Sequence, residues 1–527
     1  ASDGLHNINN AIEGFGSSLR GQLVSPPTES TRQRFDKLFG SGSFELIGQM
    51  NKGLIDKHVI VGENDDVYDF MREHPTFTWL KDFMNEYAPS VLSYSAYYKD
   101  LCKYNRAKHV LTYNPEELHY ATKGLIKMLE DAGLTQGSVR TPQQVISDIQ
   151  WNTSAGPSYQ GKKRDLCAHL SDDEVLHLAE VCRQQFLEGK STGVWNGSLK
   201  AELRTIEKVE PEKTRVFTAS PITSLFAMKF YVDDFNKKFY ATNLKAPHTV
   251  GINKFGRGWE RLHDKLNRPG WLHGSGDGSR FDSSIDPFFF DVVKTIRKHF
   301  LPSEHHKAID LIYDEILNTT ICLANGMVIK KNVGTQRQPS TVVDNTLVLM
   351  TAFLYAYIHK TGDRELALLN ERFIFVCNGD DNKFAISPQF DEEFGHDFSP
   401  ELVELGLTYE FDDITSDICE NPYMSLTMVK TPFGVGFSLP VERIIAIMQW
   451  SKKGGVLHSY LAGISAIYES FNTPKLFKSI YAYLLWLTEE HEAEILAAMT
   501  QSSTALPIPS MLDVYRLHYG DDEIWLQ

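Results

Sequence analysis

The chain has 527 residues, which at about 100–200 residues per domain sets an expectation of roughly three structural units. Hydrophobic residues make up 42% and charged residues 23%, which excludes a disordered chain and allows a large buried core. Lys and Arg number 53 against 68 Asp and Glu, a formal charge of −15. Bulk charge thus excludes a general polyanion binder, and nucleic-acid contact would have to come from a local basic groove.

In chain order, residues 1–35 are rich in Gly, Ser, Thr, Asn and Pro and read as an extended arm. The start at Ala1 without an initiator Met sets the expectation of a processed product or a trimmed piece, without a signal peptide. Residues 64–135 carry helical spacing, as in Leu118, Ala121, Leu125, Met128 and Leu129. Loops are expected at Gly137–Pro142 and Thr153–Pro157, then a helix from Asp172 to Leu187 capped by Ser171. Residues 198–218 read as strands with a turn near Pro211. Helical patterning returns at 222–240, 283–300, 304–317 and 341–360. Residues 371–387 read as a strand hairpin, and Val441 to Met499 as helices broken near Gly454-Gly455 and Pro474, followed by a loop at 502–509. The fold class is therefore α+β, a small sheet surrounded by many helices. The longest apolar run, Leu347 to Ile358, falls short of the ~18 residues of a membrane span. Six cysteines, far apart and without a CxxC pair, argue against a zinc ribbon or disulfide scaffold and fit a reducing compartment.

Two apolar β-rich runs, Phe373–Cys377 and Asn382–Ile386, flank the turn Asn378-Gly379-Asp380-Asp381. Adjacent acids are costly unless a cation neutralises them, and oxygen-only ligands suit Mg²⁺ or Mn²⁺. A plain surface turn is the competing reading. Asp277 and Asp282 stand five apart before a helix, for which Ser283 or Ser284 is the expected cap and Pro287 a first-turn residue. If their strand lies beside the hairpin, Asp277 and Asp380 converge on a metal pair suited to phosphoryl displacement. Two capping acids on an ordinary loop are the alternative. The run Gly334–Thr346 feeds a helix on which Ser340, Thr341 and Asn345 share a face with groups that bind a ribose 2′-hydroxyl, or simply start a helix. Lys200, Arg204, Lys208, Lys213 and Arg215 are a basic cluster for a triphosphate, unless Glu202, Glu207, Glu210 and Glu212 pair with them on a solvated face.

The order of these pieces, basic cluster, Asp-x4-Asp, Ser-Thr-x3-Asn and Gly-Asp-Asp, resembles the F, A, B and C motifs of RNA-dependent RNA polymerases of positive-strand RNA viruses. It is similar above all to those of the potyvirus family. Further family-like runs are Gly197–Arg204, Val232–Asn236, Gln338–Thr346 and Val441–Ile447, and the likeness extends from about Ser90 to about Ala482. The resemblance implies a closed right hand: an N-terminal arm and fingers over 1–216, a palm over 217–430 with an inserted fingers segment at about 245–270, and a helical thumb over 431–527. It implies nucleotidyl transfer from ribonucleoside triphosphates with two Mg²⁺ or Mn²⁺ ions. Asp277, Asp380 and Asp381 are then the catalytic acids and, with the Gly278 carbonyl, the metal ligands. Asp282, Ser340, Thr341 and Asn345 select ribose, while Arg204 and Arg215 hold the triphosphate and Lys200, Lys208 and Lys213 line its entry. The loop Thr153, Ser154, Ala155, Gly156 and Pro157 resembles the template guide, and Tyr423, Met424 and Ser425 the primer grip. Gln527 resembles a polyprotein cleavage residue.

Implied partners are template and product RNA, nucleoside triphosphates, a genome-linked protein primer, the viral protease and coat protein, and host poly(A)-binding protein. Membrane contact is implied only indirectly, within replication complexes of the host cytoplasm, with the nucleus as a second location. Two positions depart from the family: Gln336-Arg337 stand where Ser-Gly is usual, and Ile418 where a general-acid Lys is often found. Rival readings are a reverse transcriptase or other palm-type transferase, against which Asn345 argues, and a catalytically silent RNA-binding or assembly protein, against which the complete acid set argues.

Overall fold

A single helix, Thr341–Thr361, is the spine on which the other elements are laid. The computed structural model describes residues 24–520 except 41, 52–61, 160, 191–192, 336–337, 412, 452–453 and 504–505. Residues 1–23 of the expected arm, the Gln336-Arg337 pair and Gln527 thus lie outside the described residues. Sixteen of the spine's 21 residues are buried, as a helix apolar on every side requires. The helices Pro115–Asp131 and Pro287–His299 and the strand Phe373–Asn378 pack on it. Its Phe353 ring meets Phe373, Phe375, Phe398 and Phe411 at 5.4–6.2 Å. Among the described residues this helix alone is long and apolar enough to cross a membrane, which corrects the expectation drawn from the Leu347–Ile358 run. The shorter count stopped at the polar residues of its first turns. It is a core helix, since 89% of its apolar window is inside the protein. Thr346 and Thr351 spend their hydroxyls on carbonyls one turn back, at 2.6 and 2.7 Å.

The α+β expectation holds, with several small sheets rather than one. A three-stranded antiparallel sheet has Asp381–Ile386 in the middle, Phe373–Asn378 on one side and Leu272–Gly274 on the other. The segment after Leu272–Gly274 continues as Gly276–Ser279, which pairs with Thr408–Phe411. A separate five-stranded sheet runs Glu45–Gln49, Met327–Lys331, Thr319–Cys322, Val194–Leu199, Val216–Ala219, with one parallel pairing. None of the six cysteines, all among the described residues, is in a disulfide.

The helix Asp172–Leu187 begins where expected, because Ser171 and Glu174 form a reciprocal capping box. Two expectations are corrected. Residues 29–35 are not extended: Thr28 accepts from the Thr31 amide at 3.2 Å and starts a helix, Glu29–Phe39, whose Phe39 is buried against Phe44. Ser283 and Ser284 do not cap the Pro287–His299 helix. They belong to a separate turn, Phe281–Ser284, and donate to the Arg280 carbonyl at 3.0 and 2.7 Å, while Asp286 occupies the cap position.

The C-terminal helices Val441–Gln449, Val456–Glu469 and Pro474–Gln501 share a second apolar core with residues 67–84. Gly62–Glu63 pairs with Trp450–Ser451, Asn64 donates to the Met448 carbonyl at 2.8 Å, and Trp450 donates to the Tyr87 carbonyl at 3.0 Å. The early chain is thereby tied to the last helices.

Pro247–Thr249 runs beside Cys377 at the free edge of the three-stranded sheet, exchanging bonds of 3.1 and 3.0 Å with it. His248 in this segment is fully buried and stacks on Phe239 at 3.9 Å. Its Nδ1 accepts from the Val250 amide at 3.0 Å and its Nε2 lies 2.8 Å from Thr242 Oγ1, a hydroxyl that itself donates to the Phe239 carbonyl. The ring is therefore held as the neutral Nε2–H tautomer. Burial, with repulsion from Lys265 adding to it, holds its pKa down at about 3. A base depressed in the fold contributes stability above its unfolded pKa of about 6.5 and loses it as pH falls from there towards 3. Between pH 7.5 and 5 the His248 share is about 2 kcal/mol. Thermal midpoints measured at both pH values should therefore fall further for the parent than for His248→Gln; equal falls contradict the assignment.

Candidate active site

The hairpin tip is the starting point. Asn378 pairs with Asp381 across a two-residue turn, Gly379-Asp380, and Gly379 supplies the positive φ of 59° that this turn needs. The Gly379 amide donates to Thr346 Oγ1 on the spine helix at 2.8 Å, and Tyr409 Oη donates to the Asp380 carbonyl at 2.8 Å. The tip is thus held from two sides through its backbone, which leaves its carboxylates free.

One side chain brings the second acidic element alongside. Asn382, 3% exposed, accepts from the Gly276 amide and donates to the Gly276 carbonyl, both at 2.8 Å. This reciprocal amide pair continues the antiparallel register by which Phe384 faces Gly274, so that Asp277 comes to stand across from Asp381. Strand alternation does the rest. A Cβ on Gly276 would lie 2.5 Å from the Phe411 ring, and one on Gly278 would lie 2.8 Å from Tyr409. Those faces meet the aromatic core, and Asp277 between them projects the opposite way. Asp277 is thereby brought within electrostatic range of Asp381, the neighbour of Asp380.

Asp277, Asp380 and Asp381 all reach solvent, yet protein surrounds them closely. Burial, then Asp380, then Asp277 push the Asp381 carboxyl up to about 6. Asp380 is also raised, mainly by burial, with Arg215 working against the rise. Among the described residues no three His, Cys, Asp or Glu side chains form a ready-made metal cage. The donor set nonetheless fits a hard divalent cation: it is oxygen-only, mutually repelling and open on one side.

Asp282 lies beneath. Its carboxyl is raised by burial, with Lys103 opposing and Asp380 adding, and it accepts from Asn345 Nδ2 at 2.8 Å. Asn345 Oδ1 is buried without a partner, an acceptor open to a hydroxyl donor. Ser340 and Thr341 do not join this pair. Ser340, 1% exposed, lies within hydrogen-bond reach of Asn236 Nδ2, at 3.1 Å. Thr341 Oγ1 accepts from the Gln338 amide and donates to its carbonyl, at 2.8 and 3.0 Å.

The basic cluster is assembled as well. Arg215 makes a two-pronged contact to Glu202 at 2.7 and 2.6 Å, and Lys200 and Arg204 lie 3.4 and 3.7 Å from the same carboxylate. Arg204 also donates to the Lys213 carbonyl. Lys208 is held below its usual range by burial and by Arg204, Arg215 and Lys213. Of the four interleaved glutamates, Glu202 is the one these ion pairs converge on, and Arg215 is close enough to Asp380 for the two charges to stabilise each other.

Tyr423 is buried with its hydroxyl 2.7 Å from Thr249 Oγ1, to which Asn378 also donates at 3.2 Å. Met424 and Ser425, at φ 53° and 62°, form a tight turn beside the hairpin base. The Thr153–Pro157 loop is not joined to the acids. Its bonds run instead to Gly161, Lys163 and Ile222. Ile418 lies on a short turn whose carbonyl accepts from the buried Lys383 at 3.2 Å.

Asn382, Tyr409 and Thr346 escaped the sequence reading. The available signal was a polar residue inside an apolar strand or helix, which becomes informative only once its partner is known.

A viral RNA-dependent RNA polymerase family model matches residues 61–488. The chain is 99% identical over its whole length to part of genome polyprotein 1 of barley yellow mosaic virus (strain Japanese II-1), and 58% identical over 98% of its length to part of that of barley mild mosaic virus (strain Na1). It is 34% identical over 90% of its length to part of the genome polyprotein of zucchini yellow mosaic virus (strain Reunion Island). It spans 22%, 23% and 15% of those polyproteins.

If Arg215 takes a triphosphate, Glu202 is its competitor, because it already holds the guanidinium through two hydrogen bonds. Removing its charge in Glu202→Gln should raise triphosphate affinity, measured by calorimetry, by about fivefold, the scale of an exposed pair of up to ~1 kcal/mol. An unchanged or weaker affinity contradicts competition.

Proposed function

Because this chain belongs to the viral RNA-dependent RNA polymerase family, we propose that its RNA synthesis takes place at Asp277, Asp380 and Asp381, which hold two divalent ions, Mg²⁺ or Mn²⁺. Bound ions would lower the pKa of a primer 3′-hydroxyl and offset charge on the leaving oxygens. The supporting observation is the Asn382 bridge, which sets Asp277 beside the hairpin so that its charge and that of Asp380 both bear on Asp381. The Gly278 carbonyl is an additional candidate ligand.

The chain's own groups account for the remaining requirements. Arg215 and Arg204, with Lys200, Lys208 and Lys213 around them, bind and orient the triphosphate, because bidentate guanidinium contacts suit phosphate oxygens. Asn345 Oδ1 accepts the ribose 2′-hydroxyl, and its amide stays on Asp282. A deoxyribonucleotide leaves that buried acceptor unpaired, so discrimination comes from an unsatisfied polar group. Ser340 and Thr341 act one layer back, by shaping the turn. The Met424-Ser425 turn supports the primer end, and Thr153–Pro157 guides the template at a distance from the acids. Ile418, at the usual lysine position, offers no proton to the pyrophosphate.

The proposed layout is fingers over 1–216, palm over 217–430 and thumb over 431–527. The chain then corresponds to the polymerase segment called nuclear inclusion protein b in potyviruses. A genome-linked protein as primer, and the viral protease, coat protein and poly(A)-binding protein as partners in cytoplasmic replication complexes, belong to the same proposal. A silent polymerase fold is not favoured, since every acid is present and assembled.

Primer extension on a homopolymeric RNA template tests the reading. Synthesis should require Mg²⁺ or Mn²⁺ and stop with EDTA. Asp380→Ala should lower it by at least a thousandfold with RNA affinity nearly unchanged, as expected when charge stabilisation worth ~4 kcal/mol or more is lost. Undiminished synthesis by the variant contradicts the assignment.

A further inference from the structure

A fully enclosed ion pair lies behind the ribose-reading residues. Arg297, on the helix Pro287–His299, and Asp344, on the spine helix, are 1% and 3% exposed and 2.8 Å apart. The Arg297 guanidinium donates through Nε and Nη2 to Asp344 Oδ1, and through Nη2 to Asn236 Oδ1 at 2.8 Å. Tyr313 Oη, on the helix His306–Leu317, donates to Asp344, lying 2.9 and 2.8 Å from its two oxygens. Gln338 Nε2 donates to Asp344 Oδ2 at 3.1 Å, and Gln338 Oε1 accepts from the Ser340 amide at 2.7 Å. Asn236, on the helix Ile222–Ala241, reaches Ser340 Oγ. Four helices and the turn that opens the spine thus meet in one buried polar cluster, and the guanidinium also lies over the Phe235 ring.

Two buried charges are a poor way to stabilise a core, since apolar residues of equal volume do as well or better. What they supply is direction. Asp344 accepts from three separate places, Arg297, Tyr313 and Gln338, which together fix the rotation and height of the first turn of Thr341–Thr361. Asn345 is the next residue, and its amide must land on Asp282 while its oxygen stays open. We infer that the Arg297–Asp344 pair, with Tyr313, Asn236 and Gln338, is the positioning device for ribose selection: it holds the start of the spine helix so that Asn345 is presented to the sugar. None of these groups touches the nucleotide, and the inference rests on the reading of Asn345 and Asp282 as the ribose contacts.

The test is the ratio of kcat/KM for a ribonucleotide to that for its deoxy analogue, measured for the full chain by primer extension. Asn345→Ala is the control, and Tyr313→Phe and Asp344→Asn are the variants. Tyr313→Phe keeps the ring and the Arg297–Asp344 contact and removes one hydroxyl, so it remains a test where Asp344→Asn fails to fold. The expected result is a drop in the ratio of roughly tenfold for Tyr313→Phe, the size of one lost hydrogen bond to a charged group. The ribonucleotide value should fall and the deoxyribonucleotide value stay. A ratio kept within about twofold while Asn345→Ala collapses it overturns the positioning role and leaves the ribose reading standing. An equal fall for both substrates reduces the cluster to scaffold and also overturns the role. An unchanged ratio in Asn345→Ala itself removes the ribose reading, and this inference with it.

Discussion

Electrostatic crowding is the condition that the rest of the molecule serves. Asp277 and Asp380 are brought close enough to Asp381 to raise the cost of ionising it, and burial raises that cost for both Asp380 and Asp381. No fold gains stability from such an arrangement. It persists because the backbone around it is held by groups that are themselves fully satisfied: the Asn382 amide on Gly276, the Tyr409 hydroxyl on the Asp380 carbonyl and the Thr346 hydroxyl on the Gly379 amide. Neutral hydrogen bonds fix the main chain, so that holding the site together does not draw on its carboxylates.

The same division of labour recurs outward from the site. The spine helix carries an apolar majority that fills the core and a polar first turn that faces Asp282 and the Arg297 cluster. The basic residues gather around Glu202, which pairs with Arg215, Lys200 and Arg204, and Arg215 is also in electrostatic range of Asp380. In a chain of net charge −15, this local inversion of sign is the feature on which the proposed binding of a polyanionic substrate depends.

Much of this was legible in residue order, and the reasons differ by element. The Asp172–Leu187 helix was readable because its start signal, Ser171 with Glu174, is local. The hairpin was readable because two apolar β runs enclose a Gly-containing turn. Asn345 was readable through a spacing that puts it one helical turn beyond Thr341. The misreadings share a cause as well. A composition of polar and small residues at 24–35 hid a cap at Thr28, and two serines after Asp282 looked like caps until their hydroxyls turned back to Arg280. Asn382 and Arg297 were beyond reach, because a polar residue reads as an exception until a partner dozens to a hundred residues away is brought against it.

The most direct measurement is anomalous diffraction from crystals soaked in Mn²⁺ with a non-hydrolysable ribonucleoside triphosphate. Two manganese peaks about 3.5–4 Å apart, both within bonding distance of Asp277 and Asp380 oxygens, are the predicted result. Manganese bound elsewhere, or a pair of acids that share no ion with triphosphate present, would contradict the proposed convergence of these carboxylates on a common metal centre.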